Sequence, residues 1–143
     1  MVDHTLILRK IANLDEYHHQ LGEYAHISLD EYINDWKLQR IIERTLQMMI
    51  ETCSDIAGHI ISDLKYRVPT SYSDTFKVLQ ENDIIQSSLS NSMMQMVKFR
   101  NVVVHDYDRV DGEIVIGILR KRLDDFITYK DAIVKFLKEK NSC

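Results

Sequence analysis

A chain of 143 residues, 45% hydrophobic and 28% charged, is long enough for one globular domain with a real hydrophobic core. Its net charge of −4 argues against a protein that coats nucleic acid by bulk electrostatics and leaves room only for a local basic cleft. No apolar run approaches the roughly 18 residues of a membrane span, and Asp3, His4, Arg9 and Lys10 break any signal-like apolar core, so a cytoplasmic protein is expected.

One proline and four glycines leave few breaks and favour long helices. The first helix is expected from about Asp3 to Ala25, with Leu6, Ile7, Ile11, Leu14 and Leu21 inward. Ser28-Leu29-Asp30-Glu31 forms a capping box that opens a long second helix to about Tyr66. Its apolar stripe runs Leu38, Ile42, Leu46, Met49, Cys53, Ile56, Ala57, Ile60 and Leu64, and Pro69 bars any continuation. A short third helix follows Ser73 or Asp74 as N-cap and carries Phe76 and Leu79. The fourth runs from about Ile84, with Leu89, Met93, Met96, Arg100 and Val103 on one stripe.

Beyond it, Asp111-Gly112 between β-branched residues is a hairpin signal. Ile114, Ile118, Leu119, Leu123, Phe126, Ile127, Val134 and Leu137 nevertheless keep one helical period, which makes Asp111 the N-cap of a fifth helix. Such stripes bury one another in an antiparallel bundle. The expected fold is therefore all-α, about five helices in a single domain over residues 1–143.

Metal and cofactor signals are weak. Cys53 and Cys143 lack ligand spacing, and Cys53 fits the apolar stripe as a small core residue. Glu51, Asp55 and His59 share a face at i, i+4, i+8, which reads more simply as a solvated polar face; if it lined a cleft, Glu51 or Asp55 could pair with Arg100. Glu16/His19 and Glu23/His26 are Glu-x-x-His pairs on a single segment, where a di-iron site needs two helices and further carboxylates. There is no glycine-rich phosphate loop. Neither metal nor cofactor is expected.

The informative segment is Arg100-Asn101-Val102-Val103-Val104-His105-Asp106-Tyr107. An arginine on a buried stripe must be paired, for instance by an acid of a neighbouring helix, or must reach a polar cleft that binds an anion. His105 follows it by five residues, about 140° around a helix, while Asn101 and His105 share a face. Arg100 and His105 meet at one substrate only if the helix unwinds near His105 or if two chains build the site. The methionines around Arg100 read as core or, with the arginine among them, as a two-fold dimer seam.

On this segment the chain resembles the HEPN superfamily of helical ribonuclease toxins, specifically its HepT group. The mark of that group is Arg, a polar residue, a short spacer, His, any residue, then Tyr, and Arg100 to Tyr107 match it without departure. The resemblance spans nearly the whole chain and includes Pro69 to Phe76. It implies a HEPN-like bundle that dimerises through the motif helix. It implies metal-independent endoribonuclease activity with Arg100 and His105 as catalytic residues. It also implies a partner, an MntA-like nucleotidyltransferase antitoxin that transfers AMP to Tyr107.

The chemistry is consistent with those residue types. Cleaving RNA without a metal requires removal of the 2′-hydroxyl proton, stabilisation of the phosphorane charge and protonation of the leaving 5′-oxygen. Histidine serves as base or acid at neutral pH, and a guanidinium presents a planar fork to phosphate oxygens. Asn101 can orient the imidazole or bond the phosphate, and Tyr107 can stack on a base. The rival reading is a non-catalytic helical subunit that binds a nucleotidyltransferase and presents substrate to it.

Overall fold

The computed structural model describes residues 2–141, and every regular element among them is helical. The elements are α1 (His4–Gly22), α2 (Leu29–Ile33), α3 (Trp36–Asp63), α4 (Tyr72–Glu81), α5 (Ser87–His105), a 3₁₀ turn (Tyr107–Arg109), α6 (Gly112–Lys121) and α7 (Leu123–Asn141). The all-α expectation holds, with two of the five expected helices each divided in two. No helix among the described residues is long and apolar enough to cross a membrane.

The capping box at Ser28 is present, with Glu31 N–H donating to Ser28 Oγ at 3.0 Å, but it opens only the five residues of α2. Asp35 then caps α3 afresh by accepting from the Lys37 and Leu38 N–H groups, both at 3.1 Å. α3 ends at Asp63, well before Pro69. Lys65 takes a left-handed conformation (φ 58°), and Tyr66 N–H reaches back to Ile61 O at 3.0 Å to close the end.

Ser71, rather than Ser73 or Asp74, caps α4. α5 starts at Ser87 rather than Ile84, because Asp83 is left-handed (φ 59°) and Ile84 and Ile85 belong to the connection. Asp111 caps α6 as expected, accepting from Glu113 N–H at 2.9 Å. A Cβ at Gly112 would lie 3.1 Å from Leu29 Cδ1 and 3.3 Å from the Tyr32 ring, so glycine there permits α6 to approach α2. The chain bends again at Arg122, separating α6 from α7. That bend rotates the inward stripe of α7 to Phe126, Tyr129, Ile133 and Leu137, and only partly buries Ile127 and Val134.

α3 is the central element, packed by α1, α4, α5 and α7. Ile42, Leu46, Met49, Cys53, Ile56, Ala57 and Ile60 are all buried on it, as the stripe requires. Burial of each large apolar side chain stabilises the fold by about 1.5–3 kcal/mol. Phe76 meets Tyr129 edge to face at 5.6 Å, and the Tyr129 hydroxyl donates to Cys53 O at 2.8 Å. Met93 and Met96 are buried within this core, so the methionine stripe reads as core rather than as an exposed seam. Their burial leaves Arg100 as the polar member of an otherwise apolar face running through Val103.

Candidate active site

Arg100 is half-buried between α3 and α4. Its Nε donates to Glu51 Oε2 at 2.8 Å, and Nη2 lies 2.7 Å from the same oxygen. Gln47, one turn earlier on α3, donates to that oxygen at 3.1 Å and fixes the carboxylate. Nη1 donates to Asn101 Oδ1 at 3.2 Å, and the guanidinium carbon sits 4.6 Å from the Tyr72 ring centroid. The contact foreseen for Glu51 is made. Asp55 instead faces Lys10 at 3.7 Å, so the Glu51/Asp55/His59 row is divided between different partners. Among the described residues no group of three His, Cys, Asp or Glu side chains is placed to hold a metal ion.

Tyr72 reaches Arg100 because the loop before α4 is clasped. Arg67 grips Asp74 through Nη1 and Nη2 at 2.8 and 2.9 Å, and Glu81 through Nε and Nη2 at 2.8 and 2.9 Å. Asp74 also accepts from Thr70 N–H at 2.9 Å. The guanidinium holds both carboxyls below the usual range, Asp74 far below it. A carboxyl depressed in the fold contributes stability that is complete above its unfolded pKa, about 4, and is lost as pH falls from there toward the folded value. Urea-denaturation midpoints of wild type are therefore expected to fall from pH 5 to pH 2 more steeply than those of Asp74→Asn. Parallel slopes would show that the clasp contributes nothing.

His105 is the last residue of α5 and is exposed. The helix breaks at Asp106 (φ −153°, ψ 49°), whose N–H still bonds Val102 O at 2.8 Å. Desolvation and the adjacent Asp108 carboxyl raise the Asp106 pKa. Of the two geometries that would unite Arg100 and His105, unwinding therefore comes one residue too late, and the helical register keeps them about 140° apart within one chain. Asn101 is exposed on the face that His105 shares.

Tyr107 begins the 3₁₀ turn and is 61% exposed. The Arg40 guanidinium carbon of α3 lies 5.5 Å from its ring centroid. Arg40 in turn reaches Glu43 Oε1 at 3.4 Å, and Glu43 Oε2 accepts a 2.6 Å hydrogen bond from the Tyr32 hydroxyl. Burial and that carboxylate push the Tyr32 pKa well up, so the phenol remains the donor to a buried acid. Tyr72, Gln47, Arg40 and Glu43 were not singled out from sequence. Arg40, Gln47 and Glu51 recur on one side of α3 at i, i+7, i+11, the spacing that could have marked a second polar wall.

The family model described as ribonuclease HepT-like matches residues 14–133. The chain belongs to the HepT-like ribonuclease family. That makes it an endoribonuclease by family, and relatives agree across almost its full length. It is 31% identical over 128 residues to an mRNA nuclease HepT of Shewanella oneidensis, covering 90% of this chain and 96% of the relative. It is 27% identical over 136 residues to a tRNA nuclease HepT of Aphanizomenon flos-aquae, covering 95% and 92%. Among solved structures, a tri-AMPylated Shewanella oneidensis HEPN toxin in complex with an MNT antitoxin matches with a TM-score of 0.85 at 31% identity, covering 94% of this chain and 99% of that one. The helical bundle described above is thus the HEPN fold of this HepT-like ribonuclease.

Proposed function

We propose that this HepT-like chain is a metal-independent endoribonuclease toxin of a toxin–antitoxin module. Arg100 and His105 carry the reaction, Asn101 and Tyr107 support it, and an MntA-like nucleotidyltransferase neutralises it by transferring AMP to Tyr107. The observation that carries this reading is the fixing of Arg100. A guanidinium has five N–H donors. Glu51 and Asn101 engage Nε and one edge of each terminal nitrogen, which leaves an N–H on Nη1 and one on Nη2 for phosphate oxygens. His105 and Tyr107 stand exposed at the adjoining helix end.

In the reaction, an imidazole takes the proton of the ribose 2′-hydroxyl, the 2′-oxygen bonds to phosphorus, and the P–O5′ bond breaks with a proton delivered to O5′. A 2′,3′-cyclic phosphate and a 5′-hydroxyl result. Arg100 stabilises the charge that accumulates on the non-bridging oxygens. One chain turns Arg100 and His105 apart, so two copies related by a two-fold axis build the cleft and supply two imidazoles, one as base and one as acid. A homodimer through α5 suits the surface beside the motif. Val102 and Ile114 are exposed there, along a groove of about 610 Å³ between α5 and α6. The protein acts in the cytoplasm, within a larger toxin–antitoxin assembly.

The test is cleavage of end-labelled RNA in EDTA by protein that intact mass shows to be free of AMP. Cleavage leaving cyclic phosphate ends is expected. No cutting across a broad RNA panel would sink the nuclease reading in favour of a nucleotidyltransferase-binding subunit.

A further inference from the structure

The N-terminal half of α3 carries a feature that the cleavage chemistry leaves unused. Trp36, the chain's single tryptophan, is its first helical residue and is 66% exposed. Exposing most of an indole forgoes the burial that usually holds this side chain. Nothing in its local geometry requires an aromatic ring, because Asp35 caps the helix by itself. The Lys37 ammonium lies 5.8 Å from the indole centroid. Arg40 and Arg44 follow Trp36 at i+4 and i+8, and both are exposed. The three side chains therefore form one stripe along the helix. The stripe leads to the motif, since Arg40 is the residue against the Tyr107 ring. Asp35 is engaged in capping backbone N–H groups. Glu43 is buried against the Tyr32 hydroxyl and holds Arg40 through its other oxygen at 3.4 Å, which orients that guanidinium toward the Tyr107 ring while Arg44 and Lys37 extend the positive strip.

We infer that Trp36, Arg40 and Arg44, continued by Tyr107, form a subsite for single-stranded RNA flanking the cleaved bond. Trp36 stacks on a base, and the arginines and Lys37 bind the intervening phosphates. This inference rests on the nuclease reading for its ligand and adds to it a path by which RNA approaches the scissile bond. An aromatic interleaved with cations is the combination that grips single strands without reading sequence. It also supplies the local positive strip that a chain of net charge −4 needs to hold RNA at all. Ile33 and Ile41 are exposed nearby and would suit a protein partner. The row of cations along the stripe favours RNA.

Because Trp36 is the sole tryptophan, its fluorescence reports the subsite directly. His105→Ala protein, which retains the stripe, is titrated with an unstructured 12-nucleotide RNA in EDTA. Saturable quenching of Trp36 emission is expected, with affinity weakened at least tenfold by Arg40→Ala. In the active protein, Trp36→Ala should raise KM for the same RNA by roughly 5- to 150-fold, the equivalent of about 1–3 kcal/mol per stacked base. kcat should hold, and Trp36→Tyr should restore KM. Quenching by RNA from a protein that cuts nothing would keep the subsite and remove the nuclease. RNA cleavage with no quenching and an unchanged KM would remove the subsite alone. Quenching only on addition of the nucleotidyltransferase would overturn the inference and make this face a protein-docking surface.

Discussion

His105→Ala is expected to lower the rate of RNA cleavage by roughly 10²–10⁴-fold, the usual contribution of a positioned acid or base. Because His105 is exposed at the end of α5, the thermal midpoint should barely change. Arg100→Ala should be at least as damaging to the rate, but it also strips the cation from a partly buried Glu51. An uncompensated carboxylate there costs about 1–3 kcal/mol, less than in a fully buried pair because the Glu51 side chain retains 27% exposure. The double variant Arg100→Ala/Glu51→Gln separates the two effects, recovering stability and not activity. Arg100→Lys keeps the charge without the fork and should recover little cleavage. Single-turnover cleavage paired with thermal denaturation makes the comparison. A His105→Ala enzyme that cuts like wild type would remove the histidine from the mechanism.

Tyr107→Phe has the second large effect, and it falls on regulation. The phenol oxygen is the acceptor in the proposed AMP transfer, so incorporation of labelled AMP by the nucleotidyltransferase should drop to background. Phenylalanine keeps the ring that Arg40 packs against, and cleavage by the variant should stay within a few-fold of unmodified wild type. Coexpression with the partner should then fail to silence it. Undiminished AMP incorporation into Tyr107→Phe would place the modification on another residue. Loss of cleavage instead would assign the hydroxyl a part in the reaction itself. On wild type, a phosphodiester added to Tyr107 brings negative charge beside Arg40, which explains physically how modification would repel RNA.

Much of this molecule was legible from apolar spacing. The stripe from Ile42 to Ile60 lies in the core as read, and Met93, Met96, Arg100 and Val103 line up as their spacing demands. The divisions were harder. Asn34-Asp35 before Trp36 is an ordinary cap signal, but it lies inside a run whose hydrophobic phase hides a five-residue helix. Arg122 carries no breaker at all, so one period fitted through it misassigned Ile127 and Val134 and passed over Tyr129 and Ile133. At the site, residues close in sequence announced themselves, and those brought in by packing did not. Glu51 was visible only as a conditional partner of Arg100. Tyr72 depends on a loop held by Arg67, and Arg40 on the antiparallel pairing of α3 with α5. Such contacts follow from tertiary register, which a single sequence expresses weakly.

The clamp on Arg100 also has a consequence for rotamer entropy. A free arginine side chain carries about 2 kcal/mol of rotamer freedom, much of which is lost when it grips a ligand. Arg100 surrenders that freedom when the chain folds, because Glu51, Asn101 and Tyr72 already fix its plane. In the proposed reaction, a phosphate arriving at its two remaining N–H groups would find a fork that need not be ordered again. Part of the cost of recognition would thereby be moved from the encounter with RNA into the stability of the helical bundle.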